Sequence, residues 1–349
     1  MKDKILNITK KFDIDDEFIS YETLKSGHIN DTYKVNFKDS SYILQRINTY
    51  VFKNPIQTME NIYGVSSHIK NELTKLNKDF YRHVLEYKTI NNIPYFIDND
   101  DFYRCYKYVD NSITFDYTDN LSLIEETGKA FGNFHNNLAN YDISSLNIVI
   151  PHFHNTINRY ELFKESVDKD TLSRANDIKD VIDSYMSLKD LATTMYKMQR
   201  EGKLPLRVTH NDTKCNNVLF DKDTLNHLAV IDLDTVMPGL IGFDFGDAIR
   251  FIANSSKEDE TDTSKIYIDL NKFEAFTKGF VGFAGSSLTE NEKNTLSLGA
   301  ITMTIECGLR FLTDYLDGDN YFKTSYPEHN LDRARCQLAL ANNMILKSL

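Results

Sequence analysis

The stretch Val208-Thr209-His210-Asn211-Asp212-Thr213-Lys214-Cys215-Asn216-Asn217-Val218-Leu219-Phe220 is followed, after a short polar gap, by Leu228-Ala229-Val230-Ile231-Asp232. An aspartate two residues after a histidine can take a proton from a hydroxyl. An asparagine five residues later can hold a divalent cation, and an aspartate closing the next apolar strand can bridge that cation to phosphate oxygens. Val218 to Phe220 and Leu228 to Ile231 read as a strand pair lying between the asparagine and the second aspartate. Phosphoryl transfer asks a protein mainly for positioning and charge neutralisation. The set therefore predicts a phosphotransferase with Asp212 as base, Asn217 and Asp232 as Mg²⁺ ligands, and ATP as co-substrate.

Outward from this stretch, Tyr33, Val35 and Phe37 alternate with polar residues, and Tyr42-Ile43-Leu44 runs on into Gln45-Arg46-Ile47, so two strands follow one that begins near Tyr21. A polar cluster with one glycine, Ser26 to Asp31, joins the first two. After Pro55, apolar residues from Ile56 to Leu76 form a broken helical stripe, and Ile93 to Ile97 and Phe102 to Val109 return to strand character. Leu121, Ile124, Phe131, Phe134 and Leu138 repeat at helical spacing behind Asn120 or Asp119 as N-cap. Further helical patterns cover about 156–200, 289–316 and 331–349. Three strands, a helix, two strands and then mostly helix predict an α+β, protein-kinase-like two-lobe fold. A small antiparallel β-sheet lobe at 1–109 would bind nucleotide, and a larger, mainly α-helical lobe at 110–349 would carry catalysis and acceptor binding, with a hinge near 108–112.

Composition narrows the partners. A chain of 349 residues with a formal net charge of −11 lacks the basic balance that nucleic acid or an anionic membrane surface would require. Cys105, Cys215, Cys307 and Cys336 are widely spaced, the usage of a reducing compartment, and no apolar stretch reaches bilayer length. A cytoplasmic enzyme with a small-molecule substrate is expected. Other features receive plain readings: His152 and His154 as ordinary histidines without a third metal ligand, Cys215 as a small buried hydrophobe, and 257–262 as a solvated charged loop. The Asp-Phe-Gly within Phe243-Asp244-Phe245-Gly246-Asp247 is not the metal site. Asp244 lies beyond the Pro238-Gly239 turn, so Asp244 or Asp247 is expected to cap or orient a loop.

The blocks Gly27-His28-Ile29-Asn30, Tyr42-Ile43-Leu44-Gln45, Leu206 to Lys214, Ile231-Asp232-Leu233-Asp234-Thr235, Phe243 to Asp247, and Glu306-Cys307-Gly308-Leu309-Arg310-Phe311 carry a family resemblance. With Tyr321 and Tyr326-Pro327-Glu328-His329, they make the chain resemble the aminoglycoside phosphotransferase and choline kinase superfamily, and within it the N-acetylhexosamine 1-kinases. The resemblance implies ATP- and Mg²⁺-dependent phosphorylation of the anomeric hydroxyl of N-acetylglucosamine or N-acetylgalactosamine (a sugar). It implies acceptor contacts at His28, Asp212, Thr235, Arg310 and Tyr321, nucleotide contacts at Asn30, Gln45 and the hinge residue Val109, and Asp234 as either an acid that supports the metal-holding residues from behind or a sugar contact. Two departures stand out. The loop at 26–31 has a single glycine where kinases have several, and neutral Gln45 occupies the strand position of the phosphate-pairing lysine, with Arg46 facing the other way. Asn211 replaces the arginine of the protein-kinase pattern and argues against that class. An aminoglycoside, choline or amino-alcohol acceptor, or a nucleotide-binding protein without transfer activity, remains open on the residues alone.

Overall fold

The structure, a computed structural model, describes residues 2–24 and 30–348. The chain runs through helix α1 (Lys2–Thr9), strands β1 (Phe18–Leu24), β2 (Asp31–Phe37) and β3 (Ser41–Ile47), helix α2 (Pro55–Lys75), and strands β4 (Phe96–Asp98), β5 (Asp101–Lys107) and β6 (Ser112–Ile113). Helices α3 (Leu121–Asn137), α4 (Thr156–Lys169), α5 (Lys179–Ser187), α6 (Lys189–Ala192) and α7 (Thr194–Arg200) follow. Strands β7 (Arg207–Thr209), β8 (Val218–Asp221) and β9 (His227–Val230) come next, and then helices α8 (Ile241–Ile252), α9 (Leu270–Ala284), α10 (Glu290–Asn294), α11 (Leu296–Asp317) and α12 (His329–Leu346). The chain divides into two compact units. The first comprises Met1–Thr114, Phe134–Val149 and Asn217–Pro238; the second comprises Phe115–Asn133, Ile150–Asn216 and Gly239–Leu349.

The first unit carries an antiparallel sheet in the order β1-β2-β3-β5-β4, as an α+β kinase-like chain requires. Alternation sends Val35, Phe37, Tyr42 and Leu44 to the inner face, where they pack with Tyr103 and Cys105 of β5. Helix α1, absent from the sequence reading, adds Ile5 and Ile8 to that core, and Phe12 follows. Its lysines had masked the i, i+3 spacing of two isoleucines in a segment only eight residues long. Pro55 starts α2, where its missing amide costs nothing, and α2 buries Met59, Asn61, Ile62, Val65 and Ile69 on one face. A second sheet, β6-β8-β9, contains the hairpin anticipated from Val218–Phe220 and Leu228–Ile231, with Val218 opposite Val230.

In the second unit α11 is the central helix, buried along most of its length and packed by α8, α12 and α4. The contact between α8 and α11 depends on glycine. A Cβ on Gly246 would lie 2.3 Å from the Gly299 carbonyl oxygen, and one on Gly299 would lie 2.0 Å from that of Gly242. The helical pattern at 156–200 is interrupted after α4, because Asp170 (φ 36°) takes the left-handed conformation and its carboxylate accepts the amides of Arg174 and Ala175. The charged run at 257–262 is more than a solvated loop: Glu258 pairs with Arg250 at 2.9 Å and Asp259 with His329 at 3.2 Å. A charge run reads as solvated only until buried partners from distant helices are known.

Since backbone lies on both sides of the α8–α11 contact, no rotamer change can relieve an added methyl. Gly299→Ala is expected to destabilise the protein by about 1–3 kcal/mol. Gly282→Ala on α9, where a Cβ meets nothing within 4 Å, should be neutral or stabilising by about 0.5–1 kcal/mol. Urea denaturation of both variants checks the pair, and equal effects would show that helix approach is not limiting.

Candidate active site

The loop after β7 belongs to the second unit and is held almost entirely through its backbone. Asp244, in the first turn of α8, is buried, and its two carboxylate oxygens accept the amides of His210 and Asn211, each at 2.7 Å. Its carbonyl oxygen accepts the hydroxyl of Thr213, and the carboxylate of Asp247, one turn on, accepts the Thr213 amide at 3.2 Å. Asp244 and Asp247 thus orient the loop, the second of the roles anticipated for them. Asn211 adopts φ 66°, a left-handed conformation that asparagine tolerates better than most residues. The Asp212 amide donates to Nδ1 of His210, whose ring packs edge-on to Phe131 at 5.6 Å.

This framework leaves Asp212 half-buried with its carboxylate 2.6 Å from Nζ of Lys214. Burial alone would lower the Lys214 ammonium, but the charges of Asp212 and Asp247 outweigh it and the net direction is upward, so the lysine stays charged. Cys215 is buried beside the Thr127 hydroxyl and its thiol is pushed up by burial, which suits a packing residue and not a nucleophile.

The two expected metal ligands lie in the first unit, at the same end of the β8–β9 hairpin. The Ile231 amide donates to the Asn217 carbonyl oxygen at 2.9 Å, which sets Ile231, the residue before Asp232, across from Asn217. Asp232 is exposed, with φ 60°, and opens the short turn Leu233–Thr235 that also carries half-buried Thr235. Beneath it Asp234 is buried, and both its carboxylate oxygens meet the guanidinium of Arg104, one at 3.1 Å. Arg104 stands opposite Gln45 in the β3–β5 register, and its Nε donates to the Gln45 amide oxygen at 2.8 Å. Gln45 in turn donates to Thr32, Asn30 donates to Asp234 at 3.1 Å, and Asn61 of α2 donates to the Val236 carbonyl at 2.8 Å. Arg46 faces away, paired with Asp31 and Asp101. Val109 is buried in an apolar cluster with Leu85 and Leu228, against which Tyr87, Tyr106, Leu219 and Ile231 pack.

Among the acceptor candidates, Arg310 of α11 and Tyr321 lie together in the second unit, the guanidinium 5.8 Å from the Tyr321 ring and 5.4 Å from that of Phe322. The turn bearing Tyr321 is fixed by Asp314, whose carboxylate accepts the amides of Asn320, Tyr321 and Phe322 at 3.0, 2.8 and 2.9 Å. Tyr321 itself is 75% exposed and so does not fill a core. His28 lies outside the described residues.

The chain matches the phosphotransferase enzyme family over residues 20–263. It is also similar to solved structures at identities that speak to fold alone. An aminoglycoside phosphotransferase from Alicyclobacillus acidocaldarius subsp. acidocaldarius DSM 446 is 11% identical, with 98% of this chain and 95% of that one covered at a TM-score of 0.62. A choline kinase from Cryptosporidium parvum Iowa II is 13% identical, with 100% and 97% covered at a TM-score of 0.59. An aminoglycoside phosphotransferase with ADP bound is 13% identical, with 99% of each chain covered at a TM-score of 0.54. The kinase-like fold expected from the sequence is thereby established. No helix among the described residues is long and apolar enough to cross a membrane.

Sequence reasoning missed Arg104 and Lys214. The signal for Arg104 was its place within Phe102 to Val109, an otherwise strand-like run, but only the strand register puts it beside Gln45. Breaking a buried ion pair strands a charge, so Arg104→Met is expected to destabilise the protein by about 3–5 kcal/mol. Adding Asp234→Asn should restore part of the loss in urea denaturation, whereas fully additive losses would show the two side chains to be uncoupled.

Proposed function

Because the chain belongs to the phosphotransferase enzyme family, we propose that it is an ATP- and Mg²⁺-dependent kinase acting on the anomeric hydroxyl of an N-acetylhexosamine. The observation that carries this reading is Asp212, a half-buried carboxylate on a loop whose amides are locked by Asp244 and Asp247. Held so, it accepts a hydrogen bond from the acceptor alcohol and takes the proton as the oxygen attacks phosphorus. Lys214 moderates the charge of that carboxylate and offers a cation to a phosphoryl oxygen.

Asn217 and Asp232 supply an amide and a carboxylate oxygen from one hairpin end, a donor set suited to Mg²⁺, which keeps several waters and needs few protein ligands. When bound there, Mg²⁺ would neutralise phosphate charge. The buried Arg104–Asp234 pair holds the Asp232 turn in register, and Gln45 and Asn30 serve the nucleotide side through that network, in place of direct charge pairing by a strand lysine. Val109 and its apolar neighbours offer a surface for the adenine ring.

Arg310 and Tyr321, together in the second unit, are assigned to the acceptor, and the family resemblance adds His28 and Thr235 as acceptor contacts. The positive charge of Arg310 bears on nearby Arg159. Two neighbouring arginines favour a neutral, hydroxyl- and carbonyl-rich acceptor over cationic choline or an aminoglycoside.

ADP release measured with N-acetylglucosamine, N-acetylgalactosamine, choline and kanamycin tests the reading. Turnover with the hexosamines supports it, preference for a cationic acceptor replaces the substrate class, and no turnover with any acceptor refutes it. Asp212→Asn is expected to lower kcat by at least about 100-fold with ATP binding retained. Arg310→Ala should raise the acceptor KM far more than the ATP KM, and equal changes would remove Arg310 from the acceptor site.

A further inference from the structure

His154, read from the sequence as an ordinary histidine, sits in a buried chain of groups within the second unit. Its Nδ1 lies 3.0 Å from Oε1 of Glu306 and its Nε2 lies 3.2 Å from the carbonyl oxygen of Asn211. A peptide carbonyl can only accept, and so can an ionised carboxylate. Both ring nitrogens must then donate, which makes His154 an imidazolium. The other oxygen of Glu306 accepts the hydroxyl of Thr156 at 2.6 Å, the Tyr196 hydroxyl donates to the His154 carbonyl oxygen, and Phe153 and Phe243 flank the ring at 4.6 and 6.1 Å.

The carbonyl of Asn211 and the amide of Asp212 belong to one peptide plane. That plane is gripped twice, by His154 at the oxygen and by His210 Nδ1 at the nitrogen. The residue before it is the one held at φ 66°. Without a donor at its carbonyl, Asn211 could relax and rotate the plane that aims Asp212. We propose that His154, kept as an imidazolium by Glu306, is a positioning residue that fixes the peptide plane preceding Asp212 and makes turnover depend on its proton. The kinetic part of this inference rests on the kinase reading above; the ionisation state does not.

The charged and titratable groups around the ring are Glu306 from α11, Asp247 from α8, Arg159 from α4, which acts on Glu306, and Tyr196 from α7; Asp212 and Lys214 are paired to each other. Burial by itself lowers the imidazole. The hydrogen bond and charge of Glu306, the charge of Asp247 and the Asn211 carbonyl overcome it, and the net direction is up. Glu306 would be raised by burial, but His154 and Thr156 bring it down. The stabilisation from His154 is fully present below its unfolded value of about 6.5 and is lost as pH rises through its higher folded value. That from Glu306 is present above its unfolded value of about 4.3 and is lost as pH falls through its lower folded value. The clamp is therefore lost as pH rises through the raised His154 value and, in acid, as pH falls through the lowered Glu306 value.

The ¹⁵N shifts of His154 in the labelled wild-type protein should show both nitrogens protonated at pH 7, titrating above the ordinary histidine range. A neutral ring at pH 7 overturns the proposal, whatever the activity. With the acceptor that gives ADP release, His154→Gln should lower kcat by about 10- to 100-fold, leave the ATP KM within about twofold, and abolish the alkaline limb of the kcat profile. Glu306→Gln should move that limb to lower pH. Wild-type kcat and an unchanged profile in His154→Gln overturn the proposal. If wild-type protein turns over no acceptor, the kinase reading falls while the shifts still decide the clamp.

Discussion

One buried carboxylate, that of Asp244, takes the amides of two consecutive loop residues, and the arrangement of His210, Asn211 and Asp212 follows from it. Charge-assisted hydrogen bonds to backbone amides are strong when water is excluded, so the loop keeps a conformation that would otherwise relax. The constraint reaches further back. Asp244 can stand under the loop only because α8 lies tight against α11, and that approach exists because Gly246 and Gly299 leave their backbones bare. Glycines with no chemistry of their own thus sit upstream of the proposed base.

A comparable logic governs the first unit, where neutral Gln45 of β3 meets a buried cation one strand over. Gln45 cannot carry charge, but its amide oxygen holds the Nε of Arg104 while the rest of that guanidinium engages Asp234. An arginine suits this task because its planar fork meets both oxygens of a carboxylate at once and still has a donor for a neighbour. The pair is buried, so its role is better described as fixing the turn that presents Asp232 than as adding net stability.

The local pattern made a good deal of this legible. Alternation in β2 and β3, the helical stripe of α2 and the β8–β9 hairpin are short-range properties, and each is found where expected. What escaped was long-range. His154 and Glu306 are separated by 152 residues, and Arg104 and Asp234 by 130. A lone histidine in a loop, or an acid within the apolar run of α11, acquires a partner only when the helices are in place.

By itself, then, the amino-acid order determined the kinase-like architecture, the first sheet's strands β2 and β3 and the β8–β9 hairpin, since these depend on residue type and spacing along a few turns or strands. Tertiary structure alone decided that Asp244 holds the loop, that Arg104 stands beside Gln45, and that His154 lies between Glu306 and the Asn211 carbonyl. Each of those outcomes requires groups far apart in the chain to meet out of reach of water, where an unpartnered charge or donor is costly and a matched one is held firmly.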